Sequence, residues 1–233
     1  MSFYPIFVTS LEHDKTVLIG GDEEAERKLK ELLEVNANIS LIADSVTPEM
    51  HQLVKEYPSN ISYIPRRYKY GDLEGARLVI VADFEGNENE LISEEANERG
   101  ILVNVMDDIP QSNFAFGSLI KRGPLTVSIS TSGAAPALAV RFRQKIEQIF
   151  GEEHGQFLEF AQKLRDPMKA HYSDFQDRKE RWYNLVDSDV IELIREGREE
   201  EAYKKAGHLV GKKVVDEALN RTSSEEDYSV ENN

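Results

Sequence analysis

Short apolar runs alternate with segments of helical spacing over the first half of this 233-residue chain. Three segments, 23–34, 47–56 and 88–99, repeat apolar side chains with the period of amphipathic helices. Around them lie runs rich in β-branched residues, which begin at Lys15, Ile39, Ile61, Leu78 and Ile101. Strands that alternate with helices pair in parallel, with helices on both faces of the sheet. The pattern therefore predicts an α/β fold with a doubly wound parallel sheet.

The pattern changes after Pro110. Two strand-like runs, 114–121 and 125–130, are joined by an Arg-Gly-Pro turn signal, and a helical segment at 134–150 follows them. Beyond Gly151 the spacing is helical over 156–169, 174–186, 190–195 and 199–219. We therefore predict four parts: the sheet domain at 1–113, a hairpin-plus-helix segment at 114–150, a helical domain at 151–221, and an acidic, disordered tail at 222–233.

The composition limits the partners that such a chain can have. It carries 43 acidic and 28 basic residues, and a net charge of −15 repels nucleic acid and anionic membrane surfaces. The apolar runs are far shorter than the roughly 20 residues of a membrane span, and the first ten residues lack the pattern of a secretory signal. The chain has no cysteine, which excludes disulfides and thiolate sites. We predict a cytoplasmic globular protein that binds neither nucleic acid nor membrane.

The turn after the first predicted strand reads Gly20-Gly-Asp-Glu-Glu-Ala25 and leads into a helix. In dinucleotide-binding sheets of the Rossmann type, a turn at this place has the spacing G-x-G-x-x-G/A and directs a helix N-terminus at a pyrophosphate. Asp22 replaces the second glycine of that spacing. Asp44 follows the next strand, where a carboxylate can bind the adenosine ribose and favour NAD over NADP. The alternatives are a plain turn with an acidic helix start and, for Asp44, a capping or turn role ahead of the next helix.

Two further segments carry polar groups suited to binding or catalysis. Asn104, Asp107 and Asp108 lie at or beyond the end of the strand that begins at Ile101, and ligands gather at the carboxyl ends of parallel strands. The hydroxyl-rich run 128–133 precedes a helix that carries Arg141, so it suits the binding of carboxylates. Turn-forming aspartates and an ordinary N-capped helix are the structural alternatives. None of the five histidines has a partner at metal-ligand spacing, so we predict no metal site.

Several of these segments together resemble precorrin-2 dehydrogenases and the N-terminal half of multifunctional siroheme synthase. They are Val17-Leu-Ile-Gly-Gly, Ala25-Glu-Arg-Lys28, Val103-Asn-Val-Met-Asp107 and Gly123-Pro-Leu-Thr-Val-Ser-Ile-Ser-Thr-Ser-Gly-Ala-Ala-Pro-Ala-Leu-Ala139. Their order and spacing match the family over about residues 3–150, with looser helical similarity to about residue 215. The chain is thereby identified as a member of this family.

The resemblance implies an enzyme that oxidises precorrin-2 to sirohydrochlorin with NAD in siroheme biosynthesis, and in some members also inserts ferrous iron or cobalt. It implies an NAD-binding domain at 1–113, dimerisation through 114–150, and helices at 151–221 that cover the tetrapyrrole. The catalytic aspartate of the family falls on Asp107. With the segments above, the positions expected to contact the cofactor are Gly20, Gly21, Asp22, Glu23, Glu24, Asp44, Ser45 and Asp83. Those expected to contact the substrate are Asn104, Ser130, Thr131, Ser132, Gly133 and Arg141.

Two positions depart from the family pattern. Asp22 stands where the family has glycine, and Asp83 stands where it usually has threonine. Both add negative charge near a bound pyrophosphate, and one like-charge contact at about 4 Å costs on the order of 4 kcal/mol. Three functions follow, in this order: an NAD-dependent dehydrogenase with or without chelatase activity, a chelatase without the oxidation, and a non-catalytic tetrapyrrole-binding protein with a degenerate NAD site.

Overall fold

The computed structural model describes residues 3–82 and 88–220, and the chain divides into two compact units. The first unit comprises residues 3–116, and the second begins at Gly117. Most of the predicted hairpin segment, residues 117–150, lies in the second unit with the predicted helical domain, and the division between these two domains stays a prediction. The predicted tail at 222–233 lies outside the described residues.

The first unit is built around a parallel sheet of five strands. The strands are β1 (Lys15–Ile19), β2 (Asn38–Ile42), β3 (Ile61–Ile64), β4 (Ala76–Val81) and β5 (Leu102–Val105). The helices are α1 (Glu23–Leu33), α2 (Pro48–Glu56) and α3 (Asn89–Glu98). Because the strand order is β3-β2-β1-β4-β5, the direction of winding reverses beside β1. Such a reversal opens a crevice at the carboxyl ends of the strands.

Both faces of the sheet are buried, because neighbouring side chains of one strand enter different apolar clusters. Leu18 of β1 packs in the same cluster as Leu29 of α1 and Met50 of α2. Val17, next to it on β1, packs in the cluster that contains Ile92 of α3. With helices on both faces, the predicted doubly wound fold is confirmed.

The second unit joins a two-stranded hairpin to a set of helices. Its antiparallel strands are β6 (Ser118–Arg122) and β7 (Leu125–Ile129). Its helices are α4 (Pro136–Glu147), α5 (Glu152–His171), α6 (Phe175–Val186), α7 (Val190–Arg195) and α8 (Glu199–Val210), followed by a helical segment at 212–220. Leu164, Leu193 and Ala202 are among the buried side chains that join α5, α7 and α8. None of the described helices is both long and apolar enough to cross a lipid bilayer.

The turn of the hairpin packs directly against α5. Gly123 has a φ of 50°, and a β-carbon added there would lie 3.4 Å from the Cα of Gly155. A β-carbon added to Gly155 would lie 2.7 Å from the carbonyl carbon of Arg122. The Nε atom of Arg122 also pairs with Glu152 at the start of α5, at 3.0 Å. Two backbones can approach this closely because neither glycine has a side chain.

The first strand of the hairpin is shorter than predicted. It begins at Ser118 and not at Phe114, because the preceding residues bind the edge of the first sheet. The N–H of Asn113 donates to the carbonyl oxygen of Val103 at 3.0 Å, and the side-chain amide of Asn104 donates to that of Phe114 at 3.0 Å. These bonds to β5 replace the strand pairing that the sequence pattern suggested.

The single helix predicted over 199–219 is wrong. Gly211 adopts a φ of 101°, which is outside the helical region, and α8 ends just before it. A glycine in a positive-φ conformation commonly terminates a helix, because it can adopt that conformation without a steric penalty. The continuous apolar spacing on both sides of Gly211 concealed this break.

Candidate functional site

Two glycines form the turn between β1 and α1. Gly20 has a φ of 127°, which favours glycine, and its N–H donates to the carbonyl oxygen of Ile42 at 3.0 Å. A β-carbon on Gly21 would overlap the carbonyl oxygen of Ser45, which lies in the turn after β2. The structure therefore brings Gly20 and Gly21 together with Asp44 and Ser45, at the carboxyl ends of β1 and β2.

Asp22 caps the N-terminus of α1. One of its carboxylate oxygens accepts a hydrogen bond from the N–H of Ala25 at 2.9 Å. Glu23 beside it is exposed, and Glu24 accepts a hydrogen bond from Arg27 at 2.7 Å. A capping carboxylate satisfies the N–H groups and the positive end of the helix dipole that would otherwise face a pyrophosphate. The Asp22 carboxylate thus occupies the helix N-terminus at which the pyrophosphate of a dinucleotide would otherwise bind.

A cleft opens at the carboxyl ends of β1 and β2. Asp44 is exposed beside it, and α2 is capped by Thr47, whose hydroxyl accepts from the N–H of Met50 at 3.1 Å. The capping role that could have explained Asp44 therefore belongs to Thr47, which leaves the Asp44 carboxylate available to a ligand. Asp83, also predicted to lie near the cofactor, is outside the described residues. The cleft is lined by Ile19, Gly20, Gly21, Ile42, Ala43, Asp44, Arg67, Tyr68 and Glu88.

Three of these lining residues were missed by the sequence analysis: Arg67, Tyr68 and Glu88. Arg67 and Tyr68 belong to the run Arg66-Arg-Tyr-Lys-Tyr, which follows β3. A basic and aromatic run at the carboxyl end of a parallel strand is a signal that could have identified them, because ligands gather at that edge. Glu88 precedes α3 and gave no comparable signal.

A buried carboxylate holds the loop after β3. Glu95 of α3 has no exposed surface, and its Oε2 atom accepts hydrogen bonds from the Tyr68 hydroxyl and, at 2.8 Å, from the N–H of Gly71. The Nε atom of Arg99 lies 2.8 Å from the other oxygen as an ion pair. Burial of the Tyr68 hydroxyl, together with its bond to Glu95, raises the pKa of Tyr68 far above its usual value. The phenol therefore stays protonated and continues to donate.

A second carboxylate braces the same loop from within. Asp72 accepts two hydrogen bonds from the guanidinium of Arg66, at 2.7 and 2.8 Å, and one from the N–H of Lys69, at 2.8 Å. The Arg66 guanidinium holds the pKa of Asp72 below its usual value. The Lys15 ammonium donates to the backbone carbonyl of Asp72 at 2.9 Å. The loop is thus fixed to β1 and to α3 before any ligand arrives.

Asp107 follows β5 at the same carboxyl edge of the sheet. Its φ is 59°, a left-handed conformation that aspartate and asparagine tolerate better than most residues, and its side chain is exposed. The hydroxyl of Ser112 closes this loop by accepting from the N–H of Val105 at 2.9 Å and by donating to the carbonyl oxygen of Asp108 at 2.9 Å. The loop therefore presents the Asp107 carboxylate to solvent, where it can accept a proton from a ligand.

Asn104, which we predicted to contact substrate, lies within β5. It is 9% exposed, and its amide donates to the carbonyl oxygen of Phe114. This bond holds the segment after β5 against the sheet, so Asn104 has a structural role. Contact with substrate stays a prediction.

In the second unit, the hydroxyl-rich run 130–133 precedes α4. The hydroxyl of Thr131 accepts from the N–H of Ala135 at 3.2 Å, and that of Ser130 accepts from the N–H of Ser132 at 3.1 Å. Ser132 has a φ of 53°, so the run makes a tight turn before the helix. A hydroxyl that accepts one bond retains its O–H for donation, so Ser130 and Thr131 remain able to bind a carboxylate.

The predicted cation of this region lies on α4. Arg141 is exposed, and its guanidinium donates to the side-chain oxygen of Gln144 at 2.9 Å. Gln144 is neutral, so the charge of Arg141 is not cancelled by this contact. Two residues further along α4, Arg143 pairs with Glu147 at 2.7 Å. Arg141 therefore suits an anionic ligand better than Arg143 does.

Three family models match the chain in order. The model described as "Putative NAD(P)-binding" matches residues 7–118, the "Sirohaem biosynthesis protein central" model matches 122–149, and the "Sirohaem synthase dimerisation region" model matches 153–209. Together they match most of the chain. The dimerisation model falls on the helices that we expected to cover the substrate, and dimer contact through 114–150 stays a prediction.

Curated proteins that are similar in sequence to this chain are described as siroheme synthases. The chain is 32% identical over 199 residues to a siroheme synthase of Chromobacterium violaceum, a match that covers 85% of this chain and 42% of that protein. It is 31% identical to a siroheme synthase of Pseudoalteromonas translucida, over 93% of this chain and 45% of that protein. The chain thus spans less than half the length of these curated relatives.

The fold also matches a solved structure. "SirC, precorrin-2 dehydrogenase" superposes with a TM-score of 0.71 at 20% identity, over 88% of this chain and 100% of that one. At this identity the likeness establishes the fold alone. The three family models are independent of it and follow one another in a fixed order along the chain. The chain is therefore similar to siroheme synthases, whose dinucleotide-binding, central and dimerisation regions are matched in order along it.

Proposed function

We propose that this protein is an NAD-dependent precorrin-2 dehydrogenase that oxidises precorrin-2 to sirohydrochlorin in the cytoplasm. The observation that carries the proposal is the arrangement of the carboxyl edge of the sheet. The paired glycine turn and Asp44 border one cleft there, and the exposed Asp107 follows β5 at the same edge. A fold relative bears the name of this activity.

The residues of the cleft fit the adenosine part of NAD. Gly20 and Gly21 leave the backbone bare, so a pyrophosphate can approach it closely, and Asp44 can accept hydrogen bonds from the adenosine ribose. A carboxylate at that place disfavours the 2′-phosphate of NADP. When bound, NAD supplies the acceptor for the hydride that leaves the tetrapyrrole.

The chain's own side chains would handle protons and anchor the substrate. Asp107 would accept the proton that the macrocycle loses, as a carboxylate positioned for general base catalysis. The O–H groups of Ser130 and Thr131, with the guanidinium of Arg141, would bind the carboxylates of precorrin-2. Where the enzyme also inserts ferrous iron or cobalt, the metal is a substrate, and Asp107 would accept the pyrrole protons.

The direct test is to incubate the full chain with precorrin-2, with and without NAD, and to follow the absorbance of sirohydrochlorin and of reduced nicotinamide. We expect both to appear together and only when NAD is present. A protein that inserts iron into sirohydrochlorin but never oxidises precorrin-2 would establish the chelatase-only function, which the capping carboxylate of Asp22 favours. Binding of tetrapyrrole with neither reaction would identify a carrier.

Removing the charge of Asp22 should tighten NAD binding. Asparagine caps helices about as well as aspartate, so Asp22→Asn keeps the cap and removes only the negative charge. Asp22→Gly removes both charge and bulk, at a cost of only a few tenths of a kcal/mol to the helix. We expect a gain of about tenfold for the glycine variant, roughly 1.4 kcal/mol, and a smaller gain for the asparagine variant. Titration calorimetry at matched salt measures both gains.

The matched control is Glu74→Gln, which removes an exposed charge before β4, at the amino edge of the sheet and away from the cap. It should change NAD affinity by less than Asp22→Asn does. If the unmodified protein already binds NAD at low micromolar affinity and Asp22→Gly binds no better, Asp22 does not weaken the site.

The protein should be a homodimer that associates through the hairpin and α4. On α4, Leu138 and Phe142 are 45% and 43% exposed, and Ile149 just beyond it is 62% exposed. A row of exposed apolar side chains on one helix marks an interaction surface. Light scattering should return about twice 26.5 kDa at micromolar concentration.

A charge in the centre of this row should separate the subunits. We expect Phe142→Glu to be monomeric, whereas Gln144→Glu, an exposed polar position on the same helix, should remain dimeric. A monomer for the unmodified protein would exclude the dimer. A dimer that persists in Phe142→Glu would move the contact elsewhere, for example to 153–209.

A further inference from the structure

We infer that Arg67 binds the adenosine half of the dinucleotide together with Asp44, which lines the same cleft. This inference rests on the proposed use of NAD and names a contact that neither the glycine turn nor Asp44 supplies. Arg67 lies in the loop after β3, where the sequence analysis assigned no functional residue.

The loop presents Arg67 from a fixed backbone. Its neighbours on both sides are tied inward, Arg66 to Asp72 and Tyr68 to the buried Glu95. Arg67 lines the cleft, and its side chain is 54% exposed. A residue held on a rigid loop at the carboxyl edge of a parallel sheet loses little freedom when it binds a ligand.

Charge balance in the cleft points in the same direction. Among the described residues that line it, Asp44 and Glu88 are anionic and Arg67 alone is cationic. Asp22 adds a further carboxylate at the adjoining turn. A dinucleotide brings its own negative pyrophosphate into these surroundings, so a nearby cation is needed to offset the repulsion.

Arg67 forms an ion pair with Glu88 that a ligand can displace. Its Nε atom lies 3.6 Å from the Oε1 atom of Glu88, and the side chains are 54% and 31% exposed. Ion pairs with that much solvent access contribute little stability, so a ligand can replace Glu88 without a large penalty. A guanidinium can stack on a purine ring and donate to phosphate or ribose oxygens, whereas lysine offers only a point charge.

The test is a titration of the full chain with NAD and with ADP-ribose, which shares the adenosine half but lacks nicotinamide. Arg67→Gln should weaken both ligands by about tenfold and by the same factor, and Arg67→Lys should lie between it and the unmodified protein. Glu88→Gln should bind at least as tightly as the unmodified protein. Arg77→Gln is the matched control, because Arg77 is an exposed arginine near the amino end of β4, at the opposite edge of the sheet.

An Arg67→Gln variant that melts normally and binds ADP-ribose within twofold of the unmodified protein would overturn the inference. Weakening of NAD alone would also overturn it, because Arg67 would then act on the nicotinamide half. If the unmodified protein binds neither NAD nor ADP-ribose, the proposed cofactor use fails and this inference fails with it. The two failures are therefore distinguishable.

Discussion

Asp107→Asn should lower the turnover of precorrin-2 by about a hundredfold or more, while precorrin-2 still binds. The carboxylate is exposed at the carboxyl edge of the sheet, and the substitution removes its ability to accept a proton. Asparagine tolerates a φ of 59° as aspartate does, so the backbone of the loop should be preserved. Steady-state oxidation of precorrin-2 measures the loss, and binding of the tetrapyrrole followed by its absorbance separates it from a loss of affinity.

Asp108→Asn is the control for this prediction. Asp108 neighbours Asp107, and its backbone N–H and carbonyl oxygen already hold the loop through Val105 and Ser112. The proposed mechanism gives its side chain no role, so turnover should change by less than about threefold. Near-normal turnover in Asp107→Asn, with a large loss in Asp108→Asn, would show that Asp108 is the residue that accepts the proton.

Gly21→Ala should destabilise the sheet domain by about 3 kcal/mol and abolish dinucleotide binding. The new methyl group would overlap the carbonyl oxygen of Ser45 and lie 2.9 Å from its carbonyl carbon, so the two turns must separate. That movement also strains the hydrogen bond from the N–H of Thr47 to the carbonyl oxygen of Gly21, at 3.1 Å. A fall of roughly 10 °C in the melting temperature, with faster hydrogen exchange in β1 and β2, is the expected result.

Gly207→Ala provides the matched substitution. Gly207 lies within α8, and the nearest atom to an added β-carbon is the Cα of Lys212 at 3.6 Å, an ordinary contact. Because glycine weakens helix interiors, this change should leave stability unaltered or raise it by up to about 1 kcal/mol. Equal melting temperatures for Gly21→Ala and the unmodified protein would show that the two turns can move apart freely.

The alternation of strands and helices was sufficient to predict the sheet. A short run that is apolar on both faces can be buried only as a strand inside a sheet that has helices on both sides. The hairpin boundary and the break in the last helix could not be found in this way. The first depends on side-chain bonds of Asn104 and Asn113 to distant backbone, and the second depends on one φ angle at Gly211. Periodicity carries no information on either, since both leave the apolar spacing intact.

The candidate site was predictable where the backbone conformation or a close contact requires a particular residue type. Gly20 and Gly21 are glycines for these two reasons, and the position of Asp44 after β2 follows from the topology. Arg67 and Tyr68 were not found, because the loop that presents them is shaped by the buried Glu95, which lies 27 residues beyond Tyr68. A carboxylate on an exposed-looking helix gives no sign in the sequence that it is buried.

The contact between Gly123 and Gly155 has a mechanical consequence. The contact lies only a few residues from the predicted domain boundary near Gly151, and it holds the turn of the hairpin against the first half of α5. Because the two backbones are in contact, a displacement of α5 acts directly on β6 and β7. A ligand that moved α5 would therefore move β6 and β7 as well, and any surface that the hairpin presents would be displaced with them.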